Sequence, residues 1–541
     1  MISAKAYVKE IYSLEFICSS SYDNPYTDVS IYVTFESANG KKIKIPGFWY
    51  QENVWMIRFA PPKEGAWQWT SYASNTQDSG LHGLTGRLEV VSSSRKDAIR
   101  KHGFIKVSEN KRGFVHEDGN PFFWLGDTVW AAPMKSTYEE WTKYLSYRVG
   151  QGFNVFQVNS LYQHDADSSI RCAPFSNTND GWDLTRPSSE YFKYIDEMMY
   201  TANHYGVYIA LVVLWCNFVP GANPGWKDMV RPAGFTPSLA ARYGKYLAAR
   251  YAAFGTIWIV SGDTDYEDSY VESVYDAAAE AIKNSSPYAT LMSAHLSARF
   301  FTPPVLNEKD WLDFHMFQSG HHNSTQERAV YYSQKNREHS PPRPVINSEP
   351  CYENICFFSL PERVERSLVR KVAWYSLLSG ANAGITYGAH GLWQWHHRTD
   401  GFREEHKWGM PLDWNDALSL KGADDYAFLK EFFKDMNWWE LEPADNIFLA
   451  DDDCSMLIAA DKNLNDIVVY LSCASDLHYM EGNKDVTLYD IVWFNPEDYT
   501  TYKADEIINS DGVVLIRRAP WDGDAVLHMK LVLSGIGNKI K

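Results

Sequence analysis

Two short apolar segments of this chain each end in a carboxylate. Residues 256–263, TIWIVSGD, end at Asp263, and residues 343–350, RPVINSEP, carry Glu349 beside their last position. Both are β-branched runs bounded by turn residues, which is typical of strands buried on both faces of a parallel sheet. Two acids at such strand ends are the minimum equipment for cleaving a glycosidic bond. The alternative is that each acid caps a helix or pairs with an arginine in a loop.

The elements that would position these acids alternate between strands and helices from Phe122 onward, which indicates βα units. The predicted strands are residues 122–127, 154–160, 207–215, 256–263, 291–296, 311–320, 343–350 and 383–393. Predicted helices are residues 190–205, 238–253, 270–284, 325–338, 361–379 and 419–437, and an earlier one begins at a capping box of Ser136 and Glu139. Eight alternations in about 270 residues predict a (β/α)8 TIM barrel, whose active sites lie at the carboxyl ends of the strands.

The regions on either side of the predicted barrel show the pattern of short antiparallel strands. Residues 1–98 contain runs such as SIYVTFES and VWMIRFAP between turn residues, which predict an N-terminal β-sandwich. Residues 441–541 contain runs such as DIVVYLSC and GVVLIRR, which predict a smaller C-terminal β-sandwich. The predicted fold class is therefore α/β, with domains at residues 1–98, 99–440 and 441–541.

Composition and charge limit the classes of partner. A formal net charge of −17 disfavours nucleic acid and anionic membrane. Aromatic residues make up 15% of the chain, with 21 Trp, which suits stacking on sugar rings, although sandwich cores would also use many of them. Seven cysteines without Cys-x2-Cys spacing predict free thiols in a reducing compartment. The first sixteen residues lack the apolar core of a signal peptide, so we expect a cytoplasmic protein unless a leader has been removed.

Polar and aromatic side chains at the other predicted strand ends would surround the two acids. Carboxylates, amides and imidazoles exchange hydrogen bonds with sugar hydroxyls, and indoles stack on sugar rings. The predicted substrate contacts are Asp127, Trp130, Asn159, His295, His315, Gln318, His321, Tyr352, Tyr387 and Trp393. Predicted strands four and seven lie across the barrel from each other, so we assign Asp263 as acid/base and Glu349 as nucleophile. Asp265 and Glu353 are neighbouring candidates for the same roles.

Several long motifs resemble one known enzyme family. FFWLGDTVW with the following helix and QGFNVFQVN, then TIWIVSGDTDY, FHMFQSGHH and PVINSEPCYEN, are similar to segments of the apiosidase-like glycoside hydrolases. The resemblance extends into both flanking regions and implies a TIM barrel between two sandwiches. It also implies that Asp263 is the acid/base, that Glu349 is the nucleophile, and that sugar-binding roles belong to Asp127, Gln318 and His321. The family has divergent members, so the resemblance implies the reaction class and not the sugar.

These observations predict a retaining glycoside hydrolase that removes a terminal sugar from a plant or microbial glycan. The expected partner is an oligosaccharide or glycoside substrate, no cofactor or metal is expected, and the oligomeric state is left open. A second hypothesis is a non-catalytic carbohydrate-binding protein that keeps the cleft. A third is a metal-dependent barrel hydrolase that would use His295, His315, His321, His322 and Asp263, although predicted strand one lacks the usual His-x-His.

Overall fold

The chain folds as a TIM barrel with a β-sandwich on either side, which confirms the predicted α/β fold class. The computed structural model describes residues 3–162, 171–179, 181–223, 234–480, 485–504, 507–510 and 513–532. Within these ranges no helix combines the length and apolar character needed to cross a membrane.

The N-terminal sandwich consists of a five-stranded sheet, in the order β1-β8-β7-β3-β4, and a three-stranded sheet, in the order β2-β6-β5. Its strands are β1 (Ser3–Tyr7), β2 (Tyr12–Ile17), β3 (Ile31–Ser37), β4 (Lys42–Pro46), β5 (Phe48–Gln51), β6 (Val54–Phe59), β7 (Gly65–Ala73) and β8 (Thr85–Val91). Alternate residues of β3 and β6 face each other across the two sheets, and the stacked rings of Phe35 and Phe59 lie 4.0 Å apart. Two short helices, α1 (Pro25–Asp28) and α2 (Ala98–His102), complete this region.

A small sheet of β9 (Ile105–Val107), β10 (Phe114–His116) and β11 (Pro121–Phe122) leads into the barrel. The strands that follow are β12 (Trp124–Thr128), β13 (Val155–Asn159), β14 (Phe175–Thr178), β15 (Gly181–Pro187), β16 (Tyr208–Trp215), β17 (Ile257–Gly262), β18 (Met292–Ser293), β19 (His315–Gln318), β20 (Val345–Glu349) and β21 (Gly384–Tyr387). Strands β14 and β15 form a separate hairpin. The other eight are parallel, in the order β18-β17-β16-β13-β12-β21-β20-β19. A parallel bridge between His295 and Met316 joins the two edges, so the sheet closes into a barrel.

Helices surround the barrel and begin close to the predicted positions. They are α3 (Ala132–Lys135), α4 (Tyr138–Gly150), α5 (Ser189–Tyr205), α6 (Pro237–Tyr251), α7 (Ser269–Ser285), α8 (Pro304–Asn307), α9 (Thr325–Arg337), α10 (Arg366–Leu378), α11 (Glu405–Trp408), α12 (Trp414–Ala417) and α13 (Gly422–Phe433). The predicted capping box was wrong by one residue, because Thr137 caps α4 and pairs with Glu140. Ser136 instead donates its hydroxyl to the carbonyl of Ala132 in α3. Ser136 with Glu139 and Thr137 with Glu140 both fit the spacing of a capping box. The first pair is not used because Ser136 ends the preceding short helix α3.

The C-terminal sandwich pairs a six-stranded sheet, in the order β22-β24-β25-β31-β27-β28, with a four-stranded sheet, in the order β23-β26-β30-β29. Its strands are β22 (Glu442–Pro443), β23 (Phe448–Ala450), β24 (Met456–Ala460), β25 (Asp466–Leu471), β26 (Leu477–Tyr479), β27 (Tyr489–Phe494), β28 (Thr501–Lys503), β29 (Ile507–Ser510), β30 (Val513–Ile516) and β31 (Ala525–Leu531). Strand β25 is buried on both faces. Val469 and Leu471 face the sandwich core, while Val468 and Tyr470 pack against the barrel.

Buried ion pairs hold both sandwiches against the barrel helices. Arg58 of β6 and Arg250 of α6 both pair with Asp196 of α5, and all three side chains are almost fully buried. At the other end Arg370 of α10 pairs with Asp524 beside β31 at 2.8 Å. The large apolar core of the barrel continues into both sandwiches at these contacts. The division of the chain at residues 98 and 440 stays a prediction.

Candidate active site

A cavity of about 330 Å³ opens at the carboxyl ends of the barrel strands. Its volume lies at the small end of the range of about 300–1,000 Å³ that is typical of ligand sites. Seven residues that the sequence predicts as catalytic or substrate-binding line it, namely Trp130, Asp263, Gln318, His321, Glu349, Tyr352 and Trp393. The two acids at the ends of predicted strands four and seven therefore share one cavity.

Asp263 follows the last residue of β17, where the chain turns sharply out of the barrel. Its φ of 50° lies in the left-handed region, which Asp tolerates better than most residues. The turn is held by Asn223, whose Nδ2 donates to the Asp263 carbonyl at 2.7 Å. Nε2 of Gln318 donates to Oδ1 of Asp263 at 2.6 Å and to the Leu296 carbonyl at 2.8 Å. The side chain of Asp263 stays 21% exposed and lines the cavity.

Glu349 is the last residue of β20 and lies deeper in the cavity. Nε2 of His321 lies 3.2 Å from its Oε1, and Nε2 of His295 lies 3.0 Å from its Oε2. Among the described residues, Oε2 has no donor in good hydrogen-bond alignment, so the His295 contact is close but off-axis. Burial by itself would raise the pKa of Glu349, but the contacts with the two histidines lower it to about 2. The group is therefore an anion at neutral pH with one oxygen left for a further partner.

His295 contacts both acids, although it does not itself line the cavity. Its Nε2 is 3.9 Å from Oδ1 of Asp263 and 3.0 Å from Oε2 of Glu349. Since both oxygens lie near one nitrogen, they are no more than about 7 Å apart, the sum of the two contacts. Retaining glycosidases hold their carboxyl groups about 5–5.5 Å apart and inverting ones about 6.5–9.5 Å apart. The bound is compatible with retention, and it also includes the narrow end of the inverting range.

Aromatic rings form the walls of the cavity. The Trp130 ring lies 5.3 Å from that of Trp215, and its Nε1 donates to the Tyr352 hydroxyl at 3.1 Å. Two glycines make room for these rings. A Cβ on Gly262 would lie 2.0 Å from the Trp215 ring, and one on Gly388 would lie 2.0 Å from the Tyr352 ring. The glycine before Asp263 is therefore needed for the aromatic wall of the cavity.

The structure does not bring Asp127, His315 and Tyr387 to the cavity. Side chains alternate between the two faces of a strand, and the polar partners of Thr128 and Thr386 show which positions face the barrel interior. Asp127 and Tyr387 have the opposite parity and point toward the helices, whereas His315 is the first residue of β19 and lies at the end of that strand away from the cavity. Their expected roles in sugar binding have no support in the positions of these side chains.

Each of the three has a polar partner outside the barrel interior. Asp127 is fully buried and accepts from Arg148 at 2.6 Å and from Tyr144 at 2.7 Å. His315 Nδ1 pairs with Thr302 at 3.0 Å, and burial holds its pKa well below the usual value. The Tyr387 hydroxyl donates to Glu353 at 2.5 Å.

Asn159 points inward at the end of β13, on the same face as Gln157, and is fully buried. Among the described residues, neither its amide nitrogen nor its amide oxygen has a hydrogen-bond partner. Such a buried amide is costly unless a ligand or water satisfies it. His295 also points inward, but it contacts the acids and is not part of the cavity wall.

The two competing acids occupy other positions. Asp265 accepts from Ser297 at 2.6 Å and pairs with Arg299, and burial raises its pKa. Glu353 accepts from Tyr387 and from the Gly422 amide at 2.8 Å. Neither carboxylate lines the cavity.

Sequence reasoning missed several cavity residues, which are Trp215, Asn223, Arg299, Phe358 and Trp408. Trp215 could have been found, because it is the last residue of predicted strand three. The others lie on loops after the strands or, for Trp408, at the end of the short helix α11, where neither periodicity nor spacing fixes position.

The ligand set of the metal hypothesis is not assembled. His315 lies behind β19 in the helix layer, whereas His295 and His321 contact Glu349. Among the described residues, no group of three or more His, Cys, Asp or Glu side chains could hold a metal ion.

A family model described as "Apiosidase-like, catalytic domain" matches residues 108–440, and a domain of unknown function matches residues 8–74. The chain is similar to a solved family 5 glycoside hydrolase from Bacteroides vulgatus, with 24% identity and a TM-score of 0.66, over 83% of this chain and 97% of that one. It is also similar to a putative glycoside hydrolase from the same organism, with 18% identity and a TM-score of 0.73, over 98% of this chain and 100% of that one. At these identities the two structures are evidence of the fold alone. The curated proteins contain no match to this chain.

Proposed function

The chain belongs to the apiosidase-like glycoside hydrolases, and we propose that it is a retaining, exo-acting enzyme that removes a terminal sugar from a plant or microbial glycan. The observation that carries this proposal is the pair Asp263 and Glu349 in one cavity, both in contact with His295. The upper bound of about 7 Å on the separation of these oxygens is compatible with a direct attack by one carboxylate on the anomeric carbon.

In the first step Asp263 protonates the glycosidic oxygen while Glu349 attacks the anomeric carbon. Gln318 holds Oδ1 of Asp263, so the proton is delivered from Oδ2. Oε1 of Glu349 is engaged by His321, and Oε2 is the oxygen that attacks. A bond forms between Oε2 and the anomeric carbon as the bond to the leaving oxygen breaks. The product is a covalent glycosyl-enzyme.

In the second step Asp263, now an anion, takes a proton from a water that attacks the anomeric carbon from the side vacated by the leaving group. Two inversions give net retention of configuration. The low pKa of Glu349 suits both steps, because a stable carboxylate is a nucleophile before the first step and a leaving group in the second.

The aromatic walls and the buried amide support the assignment of sugar contacts. Trp130, Tyr352 and Trp393 offer ring faces to a sugar, and Asn159 offers an unsatisfied amide. The small volume of the cavity suits one terminal sugar rather than an internal stretch of polysaccharide, which favours exo action.

The proposal is tested with a panel of aryl glycosides that includes furanosides. Wild type should release the aryl group from at least one member, and Glu349→Gln should lose several orders of magnitude in turnover. Glu353→Gln is the matched control, because Glu353 is a nearby buried glutamate outside the cavity. Binding without release by wild type would favour the carbohydrate-binding alternative. Loss of activity on chelation would favour a metal enzyme.

Retention is tested separately. A 2-deoxy-2-fluoro glycoside of the active sugar should label Glu349 covalently, and the first product seen by NMR should have the anomeric configuration of the substrate. A product of inverted configuration, with no label on the protein, would refute the two-step route.

A further inference from the structure

We propose that Cys454 and Cys473 form a site of reversible oxidation, at which two thiols on neighbouring strands of the C-terminal sandwich close into a disulfide. Strands β24 and β25 pair antiparallel, with Met456 opposite Leu471. The same register, continued by two residues beyond β24, sets Cys454 opposite Cys473. Both residues are thiols in this structure.

Backbone hydrogen bonds on both sides of the cysteines keep this register. The Ser472 amide donates to the Ser455 carbonyl at 2.9 Å, and the Asp451 amide donates to the Asp476 carbonyl at 3.1 Å. In an antiparallel ladder, hydrogen-bonded pairs alternate with pairs that are not hydrogen-bonded. The cysteines fall between two hydrogen-bonded pairs and are therefore a non-hydrogen-bonded pair. Such pairs have Cα atoms about 4.5 Å apart, within the range of about 4.4–6.8 Å that a disulfide spans.

The two thiols lie on the same face of the sheet. Cys454 has the parity of Met456 and Ile458, and Cys473 has the parity of Leu471, all of which face the sandwich core. Both cysteines are half-buried. Burial and the adjoining Cys473 thiol raise the pKa of Cys454 to about 12. Since the thiolate is the attacking species, the reaction begins at Cys473.

The oxidant is a low-molecular-weight disulfide, such as glutathione disulfide. The Cys473 thiolate attacks one of its sulfurs, the sulfur–sulfur bond of the oxidant breaks, and one small thiol leaves. Cys454 then loses its proton and attacks the mixed disulfide, which releases the second small thiol. Two electrons pass from the protein to the oxidant, and each released thiolate takes up a proton that a cysteine has lost.

The disulfide would constrain β25, the strand whose outer face packs the C-terminal sandwich against the barrel. Tyr470 of β25 stacks on Trp374 of α10, and its hydroxyl donates to Asp524 at 2.9 Å. A disulfide near the end of β25 would fix this strand against β24 and restrict the unfolded chain between the two cysteines. The site lies outside the cavity, so glycoside turnover should be the same in both redox states.

The test is alkylation with iodoacetamide after incubation in an excess of glutathione disulfide or in a reductant. Trypsin places the two cysteines on separate peptides, residues 435–462 and 463–484, each with one cysteine. We expect these peptides to appear joined and unlabelled after oxidation, and separate and labelled after reduction. The melting temperature of wild type should be about 5 °C or more higher when oxidised. Cys454→Ser and Cys473→Ser should lose this difference, whereas Cys18→Ser, which removes a half-buried cysteine of the other sandwich, should keep it.

Full labelling of both wild-type peptides after oxidation would overturn the proposal. Joined peptides would also overturn it if oxidation did not raise the melting temperature of wild type, or raised that of the two serine variants equally. The first readout needs no variant, so a variant that does not fold leaves the test intact. Neither result depends on the presence of glycosidase activity.

Discussion

Replacement of His295 by Ala should move the acidic limb of the activity profile toward neutral pH. Glu349 is 7% exposed, and its contacts with His295 and His321 lower its pKa from the usual 4.5 to about 2, although burial alone would raise it. The two histidines together therefore outweigh burial by a pKa difference of about 2.5, which corresponds to about 3 kcal/mol. His295 supplies the close contact with Oε2, so we assign it about half of this effect. Its removal should raise the pKa of Glu349 by about 1 or more.

The acidic limb should move toward neutral pH because Glu349 acts as a carboxylate. Glu349 attacks only when ionised, so in wild type its titration limits the rate only near pH 2. In the variant the limit appears at a higher pH, because part of the stabilisation of the anion is lost while burial remains. The maximum rate should also fall, since His295 fixes the orientation of Glu349.

The assay is kcat/KM from acid to neutral pH with an aryl glycoside that has a good leaving group, since such a substrate needs little help from Asp263. Circular dichroism at each pH separates loss of the fold from loss of ionisation. His322→Ala is the matched control, because His322 lines the same cavity and the described residues show no contact between it and Glu349. A lower rate with an unchanged acidic limb would refute the electrostatic role of His295.

Three further predictions concern other carboxylates. Asp263→Ala should cost several orders of magnitude with poor leaving groups and much less with activated aryl groups, and equal losses across a leaving-group series would point to another acid. Asp127→Asn should reduce the free energy of unfolding in urea by about 3 kcal/mol, because it breaks the buried pair with Arg148, and it should leave KM unchanged. A higher KM with an unchanged free energy of unfolding would show instead that Asp127 contributes to substrate binding. Burial raises the pKa of Asp313 to about 6, so ionisation destabilises the fold as the pH rises toward and past that value. Asp313→Asn, which can keep the hydrogen bond from the Met292 amide, should therefore raise the melting temperature at pH 8 and not at pH 4, and an equal effect at both would contradict the cause.

Much of the fold follows from local features of the sequence. Apolar β-branched runs bounded by turn residues predict the barrel strands within a few residues, and helical periodicity predicts the helices between them. The length and number of these units leave few alternatives to a barrel, and a barrel gathers its strand ends at one mouth. That is why the sequence alone predicts that Asp263 and Glu349 share a cavity.

These local features could not predict whether a side chain at a strand end points into the barrel or toward the helices. Barrel strands are buried on both faces, so they lack the polar and apolar alternation that marks an inner side. Asp127 and Tyr387 stand near the carboxyl ends of their strands as Asn159 does, yet the parity of their strands turns them toward the helices. His315 is the first residue of β19, so it lies at the end of the strand away from the cavity.

By itself the sequence determined the kind of chemistry, since residue type and place along a strand set which groups reach the mouth. Only the tertiary structure decided the contacts that tune it. His295 meets both acids because the edges of the sheet close on each other, and Cys454 meets Cys473 because of strand register. Closure and register are relations between distant segments, which no local pattern encodes.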